Sequence, residues 1–167
     1  MEKIAVFPGS FDPFTIGHES IIKRSLVLFD KIIVAIGYNV KKEGFLPLHL
    51  RRKWIDLIFK DEPRITVDTY TSLTVDYCKQ VNAGYILRGL RTAADFEYER
   101  AIGQMNKAMF PEIETVFLLT APEYSAVNST IVRDILRHGG NASIFLPNGV
   151  DLKEFLEKEN KVRPKNT

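Results

Sequence analysis

A histidine, several bases and two hydroxyls stand where this sequence could hold a phosphate. His18 follows Thr15-Ile16-Gly17 and falls in the first turn of a helix. The stretch before it, Pro8-Gly9-Ser10-Phe11-Asp12-Pro13, is the carboxyl end of a short apolar strand. Glycine there permits close backbone approach, and the free N–H groups of a helix start attract phosphate. A lone histidine at the end of an element is more often structural. Beside a phosphate site it acquires a chemical use, donating a hydrogen bond to charge that develops on a phosphate oxygen.

Positive charge gathers at the ends of other strands. Asn39-Val40-Lys41-Lys42 follows the second strand, and Arg88-Gly89-Leu90-Arg91 closes the fourth. The helix after the fifth strand opens at Ser129-Thr130 and carries Arg133 one turn later. Singly, each is an ordinary surface base. Together, on one edge of a sheet, they suit a polyanion such as a nucleoside triphosphate, which the planar fork of arginine pairs at two points.

Other chemistries find no support. Gly9 and Gly17 do not make a G-x-G-x-x-G dinucleotide fingerprint, and no Walker A motif is present. Cys78 lies in an expected helix with no clear partner, which speaks against a thiol nucleophile. His49 and His138 lack metal-ligand spacing. Asp95, Glu97 and Glu99 cluster at a helix start; they either compensate the helix dipole or recognise a ribose or amine.

The elements that must position these residues alternate. Strands are expected at Lys3–Pro8, Lys31–Tyr38, Arg64–Thr69, Gly84–Leu87 (broken by Gly89) and Glu114–Thr120. Helices are expected at Gly17–Phe29, Leu48–Lys60, Leu73–Val81, Ala93–Met109, Ser129–Arg137 and Val150–Glu159. The pattern predicts one α/β domain, residues 1–157: a Rossmann-like, doubly wound, five-stranded parallel sheet with helices on both faces. Ligands of such a sheet sit beyond the carboxyl ends of its strands, where all the bases above fall. Residues 158–167 read as a basic solvated tail.

Composition agrees with an ordinary globular protein. Of 167 residues, 45% are hydrophobic and 26% charged, enough apolar surface for one core. One cysteine excludes a disulfide scaffold. No apolar run approaches the ~20 residues of a membrane span, and no secretory signal opens the chain, so cytoplasm is the expected compartment. The formal charge of +2 is too mild for a nucleic-acid binder.

Two segments resemble signatures of the nucleotidyltransferase superfamily. Pro8-Gly-Ser-Phe-Asp-Pro-Phe-Thr-Ile-Gly-His18 is similar to the T/H-x-G-H motif, and Asn128-Ser-Thr-Ile-Val-Arg133 resembles I-S-S-T-x-x-R. A third, Ile86-Leu-Arg-Gly-Leu-Arg-Thr-Ala-Ala-Asp-Phe-Glu-Tyr-Glu99, resembles the hallmark of bacterial phosphopantetheine adenylyltransferases. The likeness runs from about Ile4 to Phe155. It implies reversible adenylyl transfer from ATP to 4′-phosphopantetheine, giving dephospho-coenzyme A and pyrophosphate in coenzyme A biosynthesis. It also implies in-line attack without a covalent intermediate, Mg²⁺ carried on the ATP phosphates rather than by protein ligands, and a homohexamer built as a dimer of trimers.

The same resemblance assigns roles. His18 would stabilise the transition state at the α-phosphate, with Lys42 and Arg91 as the other catalytic residues. Ser10 would face both substrates. ATP would meet Phe11, Gly89, Leu90, Arg91, Glu99 and the run Tyr124, Ser125, Ala126, Val127, Asn128, Ser129 and Thr130. Lys42, Thr74 and Arg88 would hold phosphopantetheine. Asn128 stands where Ser or Thr is usual and can still cap a helix. Two alternatives remain: transfer to another phosphate acceptor such as nicotinate mononucleotide, and a nucleotide- or nucleic-acid-binding module without catalysis.

Overall fold

β-branched runs become the strands of a sheet buried on both faces. The computed structural model describes residues 2–39, 41 and 44–162. The strands are β1 (Ile4–Gly9), β2 (Lys31–Gly37), β3 (Ile65–Tyr70), β4 (Tyr85–Leu90) and β5 (Glu114–Leu119). Every pairing is parallel and the order is β3-β2-β1-β4-β5. Between and after them run α1 (Ile16–Ser25), α2 (Leu48–Ile58), α3 (Thr74–Gln80), α4 (Ala93–Met109), α5 (Ser129–Arg137) and α6 (Leu152–Val162).

Strand side chains alternate between two cores, as a period of two requires. Ala5 and Phe7 of β1 join Ile32, Val34 and Ile36 of β2 on one face. That face is covered by Ile21 and Ile22 of α1, Leu50, Trp54 and Ile55 of α2, Val132 of α5, and Leu152 and Phe155 of α6. Val6, Ile33 and Ala35 point the other way, onto Val75, Tyr77 and Cys78 of α3. Trp54 is fully buried, and its indole N–H donates to the Val150 carbonyl at 3.2 Å, which ties α2 to the entry of α6. Truncating such a residue to alanine costs about 3–5 kcal/mol.

The order of strands fixes where a ligand can enter. β1 has β2 on one side and β4 on the other, so successive crossovers leave it in opposite directions. A crevice opens at that reversal, beyond the carboxyl ends of β1 and β4. The expected doubly wound α/β architecture is therefore observed.

Three elements differ from the sequence reading by more than two residues at one end. β4 passes through Gly89 to Leu90 instead of stopping at Leu87. Gly89 admits a neighbour rather than ending the strand: a Cβ there would lie 3.1 Å from Cγ1 of Ile21 on α1. α1 ends at Ser25, whose hydroxyl donates to the Ile22 carbonyl at 2.8 Å, and Phe29 reaches the core from the turn beyond. α6 continues to Val162, past the expected end at Glu159 and into the stretch read as solvated tail; residues 163–167 lie outside the described residues. No helix among the described residues is long and apolar enough to cross a membrane.

Candidate active site

The β1–α1 loop forms the floor of the crevice, and its conformation is imposed from outside. Phe11 has φ 46°, a left-handed backbone that phenylalanine seldom adopts. Its ring lies over Gly9, where an added Cβ would fall 2.8 Å from two ring carbons. Neighbouring elements fasten the loop's carbonyls. Arg51 Nη1 donates to Ser10 O at 2.7 Å, Arg133 Nη1 to Asp12 O at 2.7 Å, and Ser129 Oγ to Pro13 O at 2.8 Å. The Asp12 carboxylate accepts the main-chain N–H groups of Phe45 and Leu46, each at 2.7 Å.

His18 is the third residue of α1 and closes a capping box with Thr15. The main-chain N–H of Thr15 donates to His18 Nδ1 at 3.0 Å. A main-chain N–H can only donate, so Nδ1 is the acceptor and the ring proton sits on Nε2. The ring stands edge-on to Phe11 at 5.1 Å and 87°, with Phe14 at 5.3 Å. Desolvation among these rings holds the imidazole down to a pKa of about 3, and the positive charges of Arg91 and Arg88 push the same way. At neutral pH His18 is therefore an uncharged donor.

Two arginines at the end of β4 face the same crevice, each already holding a carboxylate from α4. Arg88 Nε donates to Glu99 Oε2 at 2.8 Å, its Nη2 pairs with Glu99 Oε1, and its Nη1 donates to the Pro8 carbonyl at 2.6 Å. Arg91 Nε and main-chain N–H donate to Asp95 Oδ2 at 3.0 and 3.1 Å. Each guanidinium is thus held by a carboxylate in a geometry that phosphate oxygens can also accept from.

α5 brings a helix start to the opposite wall. Asn128 is its N-cap, with Oδ1 accepting from Ile131 N at 2.9 Å. The cap that serine or threonine would have supplied is thus intact. The Ser129 hydroxyl is turned toward Pro13, and Thr130 Oγ1 accepts from Arg133 Nη2 at 3.1 Å.

These walls enclose a cleft of about 330 Å³, lined among others by Ser10, Phe11, His18, Gly89 and Arg91. Arg88, Glu99, Val127, Asn128, Ser129 and Thr130 also line it. A second cleft of about 290 Å³ shares Ser10, Arg88 and Glu99 and extends over Tyr70 and Thr74 toward Ile102 and Asn106 of α4. The Tyr70 and Thr74 hydroxyls are 2.9 Å apart. The paired clefts suit an elongated substrate whose phosphate meets a nucleotide at Ser10 and Arg88.

Not every residue singled out from sequence lines these clefts. Leu90 is buried at the end of β4, and Tyr124, Ser125 and Ala126 stand outside the lining. Tyr124 instead packs beside Gly17. Lys42 lies outside the described residues. Cys78 is buried in the second core, where desolvation pushes its thiol up to about 12, far from any nucleophilic use.

Sequence reasoning missed Arg51 and the far lining of the second cleft. Arg51 shares its helix face with Trp54, Ile55 and Ile58, and a base on an apolar stripe was the available signal. Tyr70, Ile102 and Asn106 carried none, because ordinary strand and helix residues acquire a ligand face only through packing.

Comparison with known proteins fixes the family. The cytidylyltransferase-like family model matches residues 6–135. A phosphopantetheine adenylyltransferase of Flavobacterium johnsoniae is 52% identical over 150 residues, covering 90% of this chain and 98% of that protein. The chain belongs to the phosphopantetheine adenylyltransferase family. Family members from Leptospira biflexa and Bacteroides fragilis are 50% and 45% identical, over 90% and 89% of this chain and 94% and 98% of theirs. The resemblance read from the three sequence segments thus holds across nearly the whole chain.

Among solved structures, a bifunctional NMN adenylyltransferase/ADP ribose pyrophosphatase from Francisella tularensis shares the fold, with a TM-score of 0.72 at 18% identity. The match covers 98% of this chain and 51% of that one. A Francisella tularensis structure of the same description, complexed with AMP and a manganese ion, matches with a TM-score of 0.68 at 18% identity over 98% of this chain and 50% of that one. This member of the phosphopantetheine adenylyltransferase family therefore spans about half the length of those chains and shares their nucleotidyltransferase fold.

Proposed function

We propose that this chain transfers the adenylyl group of ATP to 4′-phosphopantetheine, releasing dephospho-coenzyme A and pyrophosphate. The observation that carries this reading is the joining of two clefts at Ser10, Arg88 and Glu99, one beside His18 and Arg91, the other running over Thr74. ATP takes the first, with its phosphates against Arg91 and the start of α5. The pantetheine arm takes the second, and its phosphate replaces Glu99 on Arg88.

The acceptor phosphate is already an anion and needs no base. One of its oxygens attacks the α-phosphorus, the bond to the β-bridging oxygen breaks, and pyrophosphate carries that oxygen away. His18 Nε2–H donates to a non-bridging α-oxygen as charge builds there. Arg91 and the α5 N-terminus hold the departing phosphates, while Ser10 and the Phe11 main chain align both partners. Lys42 adds a positive charge at the reacting phosphate. Among the described residues, the Asp95 and Glu99 carboxylates that line the cleft are engaged by arginines and Cys78 is buried elsewhere, which supports direct transfer.

Mg²⁺ would arrive on the triphosphate, held by phosphates and water. Among the described residues no group of three or more His, Cys, Asp or Glu could hold an ion, and Asp95 and Glu99 are engaged by arginines. When bound, the ion would supply charge neutralisation to the leaving phosphates.

The chain would act as a homohexamer in the cytoplasm. α4 has no buried residue, and Phe96, Tyr98, Met105 and Met109 are exposed along it. A helix with this much open apolar surface fits burial against further copies.

The test is pyrophosphate release from ATP and Mg²⁺ with 4′-phosphopantetheine, with nicotinate mononucleotide, and without acceptor. Release confined to the phosphopantetheine arm is the expected result. Release confined to nicotinate mononucleotide would redirect the acceptor reading. ATP binding without release in any arm would leave a non-catalytic nucleotide-binding protein.

A further inference from the structure

Arg51 is an arginine inside the core. It lies on α2 between Leu50 and Trp54, and only 6% of it is exposed. Taking a guanidinium out of water is costly, and a well-packed apolar side chain would fill this stripe at less cost. Among the described residues, its Nε is the one buried side-chain nitrogen or oxygen without a hydrogen-bond partner. A charge buried with a donor unspent calls for a compensating use at its other end.

That other end holds a carbonyl. Arg51 Nη1 donates to Ser10 O at 2.7 Å. The Ser10 carbonyl and the Phe11 N–H belong to one trans, planar peptide, so they point in opposite directions. Drawing the carbonyl toward α2 turns the N–H away from α2. Ser10 and Phe11 line the cleft and Arg51 does not. Phe11 is also the residue held at φ 46°, a conformation that persists only where the surroundings impose it. Asp12, one residue on, has further ties, because its carboxylate accepts from Phe45 N and Leu46 N and its carbonyl accepts from Arg133.

We propose that Arg51 is a positioning residue: by holding the Ser10 carbonyl from behind, it aims the Phe11 N–H into the cleft as a donor to the nucleotide phosphates. It touches no substrate and acts through one peptide plane. The role rests on the reading of this cleft as the ATP site.

The experiment compares Arg51→Met, Arg51→Gln and Arg51→Lys with the wild-type chain. ATP affinity is measured by calorimetry without acceptor, and KM for ATP and for phosphopantetheine by pyrophosphate release, with the thermal midpoint as a folding control. In folded Arg51→Met or Arg51→Gln, ATP affinity should fall about tenfold, the effect of one hydrogen bond to a charged group. KM for phosphopantetheine should stay within about twofold, and Arg51→Lys, which keeps a charged donor, should recover most of the loss. A folded Arg51→Met with wild-type ATP affinity and KM overturns the proposal. So does a lysine variant no better than methionine, or failure of all three to fold, since either makes Arg51 a packing residue only. A wild-type chain that binds no ATP would instead defeat the reading of the cleft.

Discussion

The main-chain N–H of Thr15 donates to Nδ1 of His18 at 3.0 Å, and that single bond decides which ring nitrogen carries the proton. The same pair caps α1, so the helix start and the ring tautomer are set together. Thr15 is almost wholly buried, which protects the arrangement from water. His18→Ala removes an Nε2 donor whose bond forms mainly in the transition state. It should lower kcat about 100- to 1,000-fold while leaving ATP affinity within a few-fold. Steady-state kinetics beside a binding isotherm checks this, and unchanged turnover would remove His18 from the mechanism.

The buried imidazole also leaves a mark on pH dependence. In the unfolded chain it takes up a proton at its ordinary value of 6.5, in the folded chain only near 3. Between those values the unfolded state binds more protons. The stability contributed by neutral His18 is therefore whole above about pH 6.5 and is lost as pH falls toward 3. Imidazole ¹⁵N spectra should show His18 as the Nε2–H tautomer from pH 8 to pH 5. Thermal melts of the His18→Asn variant should lose part of the decline below pH 6.5. A His18 titration midpoint near 6.5 would contradict the burial argument.

Gly9 is small because Phe11 lies on it. A methyl there would meet the ring at 2.8 Å, and the ring is held by Phe7 at 5.5 Å and Phe14 at 5.4 Å. Gly9→Ala should cost about 1–3 kcal/mol of stability through overpacking. It should also reduce kcat, because the loop that aligns the phosphates must shift. Denaturant unfolding and turnover on the same preparation check both effects; a variant of wild-type stability would mean the ring moves freely.

Arg88 should govern the acceptor more than the nucleotide. Replacing it by alanine loses a charge-assisted fork and leaves the Glu99 carboxylate beside the incoming phosphate. KM for phosphopantetheine should rise about 10- to 100-fold, from ~1.5–3 kcal/mol for hydrogen bonds to a charged group. Adding Glu99→Gln to that variant should recover part of the loss by removing the repulsion. An unaltered acceptor KM would separate Arg88 from phosphopantetheine.

What the sequence made legible was local. The β-branched run Lys31–Gly37 and the capped helices Ala93–Met109 and Ser129–Arg137 announce themselves by period and by their ends. His18, Arg88 and Arg91 stood out because motif and strand end coincide. Gly89 misled, since glycine reads as a strand breaker when its use is the close approach of Ile21. Arg51 showed only as a base on an apolar stripe and Tyr70 not at all, because their partners are a carbonyl and a hydroxyl that only the folded chain brings near. The pairing of Arg88 with Glu99 was equally hidden: the hallmark segment puts both residues at the site but does not say that they hold each other.

The central claim is adenylyl transfer to phosphopantetheine by attack of its phosphate on the α-phosphorus of ATP. Its most direct test follows ¹⁸O placed in the non-bridging oxygens of the phosphopantetheine phosphate, with ATP and Mg²⁺, by mass spectrometry of both products. In-line attack on the α-phosphorus predicts dephospho-coenzyme A carrying all of the label and pyrophosphate carrying none. Label in pyrophosphate, or ATP consumed without dephospho-coenzyme A, would contradict it.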